Sequence, residues 1–309
     1  MKKYIVNHVM SQDINSNILS SFIDYLSNSS RNDKHIVSVE PIDDADIYHY
    51  HRPHLEKKLL KNSVVTVHHD LMENDPWLSL PKFLNVYKGA SAVVCLNHIQ
   101  QRILHENSIS QTHVIPHGYN SMVFDATLPK EEKNKITLGL ISKRYGRRVK
   151  GEAYFHDLIK RLDPELFDFI LVGDGRSEEF YLLQSYGFDV KVYERLPYRV
   201  FAGLYQKIDI LLMLSTFEGG PANVPEAVIS ATPVAAFPIG MIPDFIQDMR
   251  NGIILTGDID LDASKLMSLA KNRDDFCKLM VETEKCTNLA ITWEEVSELY
   301  SQVYVGVVG

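Results

Sequence analysis

The chain has 309 residues, 45% of them hydrophobic and 23% charged, which is the composition of an ordinary globular protein. Its formal net charge of -8 argues against a general nucleic-acid binder, which needs a basic surface to neutralise phosphates. No apolar run reaches the roughly 18 residues of a membrane-spanning helix. The N-terminus lacks a signal-like apolar run, and the three cysteines match neither a disulfide framework nor a zinc site. We therefore expect a cytoplasmic protein of about two domains.

In the first half of the chain, short apolar stretches rich in β-branched residues alternate with amphipathic stretches. The predicted strands are 3–9, 35–39, 46–50, 63–69, 92–96 and 113–117. Helical patterns occupy 15–28 and 97–107. Strands that are followed by helical stretches predict a parallel sheet with both faces covered.

The second half repeats this pattern after a polar, charged stretch, Thr127–Lys135. That stretch predicts a solvated linker, with a long loop inside one domain as the alternative. The predicted strands that follow are 136–142, 167–175, 189–193, 209–214 and 233–237. At the end, 291–307 has apolar residues at helical spacing, with Thr292 as the N-cap and Glu295 as its capping-box partner. The whole pattern predicts a doubly wound α/β fold.

The stretch Leu214–Phe237 is the most informative for chemistry. An apolar strand ends there in a Gly-Gly-Pro turn, and a helical stretch begins at about Pro225. Loop amides and a helix N-terminus at the end of a parallel strand bind phosphate well. Two carboxylates, Glu218 and Glu226, bracket the turn. The alternative is that Glu218 is an ordinary loop acid and Glu226 a favourable charge at a helix start.

The run Glu218–Ala227 reads E-G-G-P-A-N-V-P-E-A and resembles the signature of retaining glycosyltransferases of the GT-B fold, family 4. Members carry two glutamates separated by seven residues at this place. The resemblance implies that Glu218 contacts the donor sugar near the reacting carbon and that Glu226 binds the ribose hydroxyls. It also implies that the residues between them contact the donor: Gly219, Gly220, Pro221, Ala222 and Asn223.

The resemblance carries a domain plan with it. GT-B enzymes have two Rossmann-like, doubly wound domains that face each other across a cleft. The plan predicts an acceptor-side domain at 1–130, a domain at 131–290 that binds the nucleotide-sugar, and a C-terminal helix at 291–309 that crosses back to the first domain.

Five basic residues fall within the eight positions from Lys143 to Lys150, just after the predicted strand 136–142. In an acidic protein, such a cluster at a strand end indicates a clamp for a diphosphate. The family places an Arg and a Lys here. Lys150 corresponds to the Lys, Arg144 or Lys143 to the Arg, and Arg147 is the reserve. A solvated basic loop, or one that touches anionic lipid, is the alternative.

Other segments fit the resemblance in chain order. The turn at Gly173 is similar to the family's segment beside the donor. His68, at the end of the predicted strand 63–69, corresponds to a His that lies over the reacting sugar. His49 and His51 share a strand face, so they line the cleft or lie in the core. The run His68-His69-Asp70 makes no metal site, because adjacent residues on a strand point to opposite faces.

The resemblance implies a retaining glycosyltransferase that moves a sugar from a nucleoside diphosphate-sugar to a glycan or lipid-linked acceptor. We expect no metal and no cofactor, and we favour a UDP-sugar over a GDP-sugar. We expect no nucleic-acid partner. Peripheral contact with the inner face of the membrane and the oligomeric state stay open.

Four alternatives have different grounds. The family often has a glycine-rich loop after its first strand, and this chain has no glycine between Asn7 and Asp13. That departure favours a degenerate subunit that only binds a nucleotide-sugar. A GT-B-like epimerase would keep the fold and change the reaction, whereas a phosphorylase would need a lysine for pyridoxal phosphate that nothing marks. A dinucleotide dehydrogenase would carry a G-x-G-x-x-G run, which this chain lacks.

Overall fold

The computed structural model describes residues 3–11, 14, 16–124, 133–144 and 148–309. The chain divides into two compact units. The first comprises Met1–Gly118, Phe217–Pro221 and Ile291–Gly309, and the second comprises Tyr119–Thr216 and Ala222–Ala290. The boundary predicted at residue 130 and most of the predicted linker Thr127–Lys135 lie outside the described residues. The predicted domain limits therefore stay a prediction.

The first unit is built on a parallel sheet of six strands. The strands are β1 (Ile5–Val9), β2 (Lys34–Ser38), β3 (Ile47–Tyr50), β4 (Ser63–Val67), β5 (Ala92–Cys95) and β6 (Thr112–Val114). They lie in the order β2-β1-β3-β4-β5-β6. The central strands β3, β4 and β5 are buried along their whole length, as expected for parallel strands that are covered on both faces.

Helices cover the sheet of the first unit. They are α1 (Asn17–Ser29), α2 (Pro81–Gly89), α3 (His98–Glu106) and, from the end of the chain, the helix Trp293–Val308. The predicted capping box of that last helix is confirmed: the Thr292 hydroxyl accepts from the Glu295 amide, and the Glu295 carboxylate accepts from the Thr292 amide. Trp293 and Tyr300 of this helix pack with Phe22 of α1 in one apolar cluster.

The second unit is also built on six parallel strands. They are β7 (Ile136–Ile141), β8 (Phe167–Val172), β9 (Asp189–Tyr193), β10 (Ile210–Met213), β11 (Val234–Ala236) and β12 (Gly252–Ile254). Their order, β12-β11-β10-β7-β8-β9, is the strand order of a dinucleotide-binding Rossmann sheet. The order reverses between β7 and β10, and ligands of such sheets bind beyond the carboxyl ends of the strands at this point.

Seven α-helices pack around this second sheet in the part of the chain that the structure describes. They are α4 (Glu152–Ile159), α5 (Ser177–Ser185), α6 (Phe201–Tyr205), α7 (Asn223–Ile229), α8 (Ile242–Phe245), α9 (Ile259–Lys271) and α10 (Arg273–Lys285). The helix at the end of the chain, Trp293–Val308, is α11. Leu138 of β7, Leu212 of β10 and Leu266 of α9 lie in the main core of this unit.

The predicted fold class is confirmed, since both sheets are parallel and carry helices in a doubly wound arrangement. Two local predictions differ from the structure. The short strand β12 was not predicted. The helix predicted from about Pro225 begins two residues earlier, at Asn223, so Pro225 lies inside its first turn, where proline is tolerated. Among the described residues, no helix is both long enough and apolar enough to cross a bilayer.

Candidate functional site

In the second unit, the loops that follow β7 and β10 meet at the point where the strand order reverses. The Thr216 amide after β10 donates to the Val149 carbonyl oxygen after β7, with N and O 2.9 Å apart. The Asn223 side-chain amide at the start of α7 donates to the Ile141 carbonyl oxygen at the end of β7, 3.2 Å away. Three sequence-predicted features thus come together: the basic loop, the end of the β10 strand, and the helix that carries Glu226.

Glu226 lies in the first turn of α7 and is 7% exposed. The Tyr198 hydroxyl donates to its Oε1 over 2.6 Å, and the Tyr205 hydroxyl donates to its Oε2 over 3.0 Å. Burial raises the pKa of Glu226 to about 7, although both hydrogen bonds act in the opposite direction. The carboxylate is therefore arranged to accept two hydroxyl hydrogen bonds, which is also what the two hydroxyls of a ribose offer.

The structure describes part of the basic loop, residues 143–144 and 148–150. Lys150 ends a short 3-10 helix, Arg148–Lys150, immediately before Gly151. Arg144 is ion-paired with Glu178 and Glu179, so a phosphate that bound Arg144 would have to compete with two carboxylates. Lys143 is exposed. The reserve residue, Arg147, lies outside the described residues.

A buried arginine beneath the basic loop was missed by the sequence analysis. Arg176 is fully buried, and its guanidinium donates to the Ser142 carbonyl oxygen at 2.6 Å and to the Ser142 hydroxyl at 2.8 Å. The Glu179 carboxylate neutralises it at 3.3 Å. The predicted donor-side Gly173 packs against the same segment, since a side chain there would strike the Ser142 carbonyl.

Gly151 is needed where the basic loop meets β10. Its φ is +76°, and a Cβ at this position would overlap the Leu214 carbonyl oxygen. We predict that Gly151→Ala lowers the free energy of unfolding by at least about 2 kcal/mol, from the left-handed backbone and the overlap together. The matched control is Gly203→Ala in α6, where no atom lies within 4 Å of the added carbon. Urea unfolding of both variants tests this; equal midpoints would contradict it.

In the first unit, the predicted sugar-contacting loop Phe217–Pro221 is held through its backbone. The Glu218 amide donates to Asp70 Oδ2 over 3.2 Å, and the Asn97 side-chain amide donates to the Gly219 carbonyl oxygen over 2.6 Å. A Cβ on Gly219 would lie 2.6 Å from the His68 carbonyl oxygen, so only glycine fits. This places Glu218 and His68, both predicted from the sequence, on adjoining segments. Of the other residues predicted to contact the donor, Gly220 packs on Leu96 and Pro221 is buried. Ala222 follows this loop and belongs to the second unit.

The histidines of the first unit point to two faces, as the alternation along a strand predicts. His68 is half-buried, and its Nε2 lies 2.9 Å from His51 Nδ1. His69 instead stacks near Phe83, with ring centroids 4.4 Å apart. His49 and His51 are fully buried, so they are core residues in this structure.

One group of three side chains in the described ranges could hold a metal ion. His8, His49 and His51 place one ring nitrogen each within 4.8 Å of one another. Both nitrogens of His49 already have hydroxyl partners, Tyr304 at 3.0 Å and Thr66 at 2.8 Å. A metal would therefore have to displace a hydrogen bond to bind there.

Comparisons with known proteins agree with this reading of the second unit. Residues 135–272 match the family described as Glycosyl transferases group 1. An uncharacterized glycosyltransferase of Methanocaldococcus jannaschii is 22% identical over 292 residues, which cover 91% of this chain and 80% of that protein.

A second relative comes from Campylobacter jejuni and is 26% identical over 197 residues, 60% of this chain and 53% of that protein. It is named as the alpha-1,4-N-acetyl-D-galactosaminyltransferase for GalNAc-alpha-(1->4)-GalNAc-alpha-(1->3)-diNAcBac-PP-undecaprenol. The match spans about half of that relative's length.

Among solved structures, the chain is similar to HepE of Anabaena in complex with UDP and glucose. The TM-score is 0.70 at 14% identity, over 98% of this chain and all of that one. At this identity the likeness shows the fold. The sequence prediction of a glycosyltransferase enzyme is confirmed by the family match of residues 135–272 and by the names of both relatives, and the predicted GT-B fold by the likeness to the solved structure.

Proposed function

We propose that this protein transfers a sugar from a nucleoside diphosphate-sugar to a hydroxyl of an acceptor, with retention at the anomeric carbon and without a metal ion. The observation that carries the proposal is the arrangement at the strand-order reversal of the second unit. There, a buried carboxylate held by two hydroxyls, Glu226, begins the helix after β10, and Lys150 with Gly151 follows β7. This is a place where parallel sheets bind nucleotides.

In this proposal, Glu226 accepts hydrogen bonds from the two ribose hydroxyls of the donor. Tyr198 is the partner that a ribose would replace, since its hydroxyl and a ribose hydroxyl compete for the same carboxylate oxygen. Tyr205 is fully buried on α6 and would remain as a support for the second oxygen. A charge-assisted hydrogen bond of this kind contributes about 1.5–3 kcal/mol.

The diphosphate would be neutralised by Lys150 and by an arginine or lysine of the same loop. Arg144 is our choice, although it has to leave Glu178 when a phosphate arrives. The exchange is electrostatically reasonable, because a diphosphate carries more negative charge than one exposed carboxylate and offers bidentate acceptors to a guanidinium. These side chains would do the work that a divalent cation does elsewhere, which is the basis for proposing a metal-independent reaction.

For the chemical step, we assign Glu218 to the positive charge that develops at the anomeric carbon and His68 to a hydroxyl of the donor sugar. Preorganised charges that act only on the transition state are the most effective form of catalysis. The backbone bonds from Asp70 and Asn97 fix the Glu218 loop in advance. A leaving phosphate oxygen would take the proton of the acceptor, so no separate protein base is needed.

The acceptor is proposed to be a glycan or a lipid-linked glycan. The family resemblance implies such an acceptor, and the Campylobacter jejuni relative is named for one that ends in PP-undecaprenol. Such an acceptor would place the protein in the cytoplasm, at the inner face of a membrane. We propose a UDP-sugar as the donor in preference to a GDP-sugar, and HepE of Anabaena has been solved with UDP.

The donor-binding proposal is tested by the pH dependence of UDP-glucose affinity in EDTA. Because burial raises the pKa of Glu226 to about 7, the residue is mostly protonated at pH 6 and mostly ionised at pH 8. The ionised form accepts both ribose hydroxyls, so affinity should rise roughly tenfold between these pH values. The diphosphate of UDP-glucose does not titrate in this range, so the change reports on the protein.

Isothermal titration calorimetry at pH 6 and pH 8 measures the effect, with Glu226→Gln as the matched control. Gln keeps the shape but has no proton to lose, so its affinity should be low and independent of pH. Affinity of the wild type that is flat, or that falls as the pH rises, would contradict the role of Glu226.

A further inference from the structure

Four histidines of the first unit form a continuous chain of ring-to-ring hydrogen bonds, which we call the imidazole chain: His35, His8, His51 and His68. His35 Nδ1 lies 2.8 Å from His8 Nε2, and His8 Nδ1 lies 2.9 Å from His51 Nε2. His51 Nδ1 then lies 2.9 Å from His68 Nε2. Every link joins the Nδ1 of one ring to the Nε2 of the next.

The order of the strands produces this chain. His35 is on β2 and His8 on β1, while His51 and His68 each directly follow a strand, β3 and β4. These four strands are neighbours in the same order, β2-β1-β3-β4. Since residues two apart on a strand share a face, the rings line up across one face of the sheet. The sequence alone points to His49, His51 and His68 but not to His8 and His35, because these two belong to the chain through strand pairing alone.

The four rings are neutral, so the position of the proton on one ring fixes its position on the next. Burial lowers the pKa of His8, His51 and His68 well below the ordinary value, and lowers that of His35 to about 4. A neutral imidazole has one N–H donor and one acceptor nitrogen. Each link needs one donor and one acceptor nitrogen, and every link joins the Nδ1 of one ring to the Nε2 of the next. All four rings must therefore carry the proton on Nε2, or all four on Nδ1.

Charges at the two ends select between these two states. The Asp33 carboxylate acts on His35, and the Arg52 guanidinium acts on His51 and His68. A negative charge at the His35 end and a positive charge at the His68 end both favour moving the protons towards His35. In the state with every proton on Nε2, the outermost proton lies on His35 Nε2, a buried atom without a hydrogen-bond partner, and the Nδ1 lone pair lies on His68. The two charges act against the cost of this unsatisfied N–H.

We propose that His35, His8 and His51 are positioning residues that fix His68 as the Nε2–H tautomer, with an Nδ1 lone pair that accepts a hydrogen bond from a hydroxyl of the substrate. The inference rests on the proposed function for the identity of that substrate, a sugar. It adds a specificity rule: a sugar that presents a hydroxyl to His68 is accepted, and an analogue lacking that hydroxyl leaves the lone pair unsatisfied. An unmade hydrogen bond of this kind lowers kcat/KM substantially.

A metal ion is the competing occupant of the same side chains. His8, His49 and His51 have the ligand spacing, but the hydroxyls of Tyr304 and Thr66 take both nitrogens of His49. The ring nitrogens of His8 and His51 are each taken by another ring. The observed contacts thus account for all three residues without a metal, which favours the tautomer chain.

The test is a long-range ¹H–¹⁵N correlation spectrum of the full chain, labelled with ¹⁵N, in EDTA at pH 7.5. Single-histidine variants assign the rings. We expect all four rings of the imidazole chain to show the pattern of a protonated Nε2 and an unprotonated Nδ1. Mixed tautomers among the four rings, a uniform Nδ1–H pattern, or a stoichiometric metal retained by the purified protein would overturn the proposal.

Substitutions that break the imidazole chain give a second measurement, which would not change if these histidines had only a structural role. His8→Phe keeps a ring in place but removes both of its links, so His51 and His68 lose their coupling to His35, and the His68 nitrogen shifts should move towards the average of the two tautomers. His105→Gln, far along the sequence on α3, is the control and should leave the His68 shifts unchanged. If His8→Phe does not fold, His35→Gln at the chain end serves the same purpose. A His68 pattern that survives both variants contradicts the proposal.

The spectra need no substrate, so they separate this inference from the proposed function. If UDP-glucose fails to bind while the four tautomers are uniform, the proposed donor is wrong and the imidazole chain stands. If the donor binds and turns over while the tautomers are mixed, the positioning role is wrong and the enzyme assignment stands.

Discussion

Glu226→Ala is expected to abolish the thermal stabilisation of this protein by its nucleoside diphosphate. The variant removes two charge-assisted hydrogen bonds to ribose, each of about 1.5–3 kcal/mol, so affinity should fall by at least about 100-fold. A ligand at 100 times its Kd stabilises a fold by about 2.7 kcal/mol, so most of the shift would disappear at the same concentration. The base of the nucleotide matters less to this loss than the ribose does.

The measurement is a thermal-shift panel of UDP, GDP, ADP and CMP with their common sugar conjugates, in EDTA, on the wild type and the variant. The unliganded variant must melt cooperatively, because it leaves the hydroxyls of Tyr198 and Tyr205 without their carboxylate. Stabilisation of the wild type by one nucleoside diphosphate identifies the nucleobase of the donor. Equal stabilisation of the variant would exclude Glu226 from the donor site.

Glu218→Gln is expected to lower kcat by about 10²–10³ while donor affinity stays within a few-fold of the wild type. The substitution keeps the shape of the side chain and removes the negative charge that we assign to the anomeric carbon. The loop should keep its place, because Asp70 and Asn97 hold it through backbone atoms that the substitution leaves untouched. A loss in kcat and kcat/KM of similar size is the signature of an interaction made only in the transition state.

Turnover is followed as UDP released from the sugar nucleotide that binds, with Glu165→Gln as the control. Glu165 is exposed and lies in the loop before β8, so the same chemical change there should have no effect. If Glu218→Gln raised KM and left kcat unchanged, Glu218 would be a binding residue and the assigned electrostatic role would be wrong.

The fold was predictable because its signals are local. Parallel strands buried on both faces read as continuous apolar runs, as in β4 and β10, and each run ends in polar or glycine residues. The capping box at Thr292 is a four-residue pattern, so it is visible in the sequence and present in the structure. The strand order was not predicted, since no local pattern fixes which strands pair.

The partners of the candidate site residues were not predictable, because they are distant in sequence. Asp70 holds the Glu218 amide across 148 positions, and Asn97 holds Gly219 across 122. Tyr198 begins the 3-10 turn before α6 and Tyr205 ends α6, and no spacing rule links a tyrosine to a glutamate 28 or 21 residues later. The same holds for His8 and His35, which join His51 only through strand pairing.

The basic loop shows that a sequence pattern does not reveal which side chains its residues pair with. A cluster of cations after a strand predicts an anion site, yet the acids that engage Arg144 are Glu178 and Glu179, at the start of another helix. Arg176 drew no attention because a single arginine beside a glycine turn is common. Its burial, and the hydrogen bonds to Ser142, appear only once β7 and β8 lie side by side.

The most direct test of the central claim, retaining transfer from a nucleoside diphosphate-sugar without a metal, uses water as the acceptor. The protein is incubated with UDP-glucose in EDTA, and the first-formed free sugar is observed by ¹H NMR before it mutarotates. We predict that the wild type releases α-glucose, the anomer of the donor, and that Glu218→Gln releases almost none. Release of β-glucose, or release that requires a divalent cation, would contradict the account.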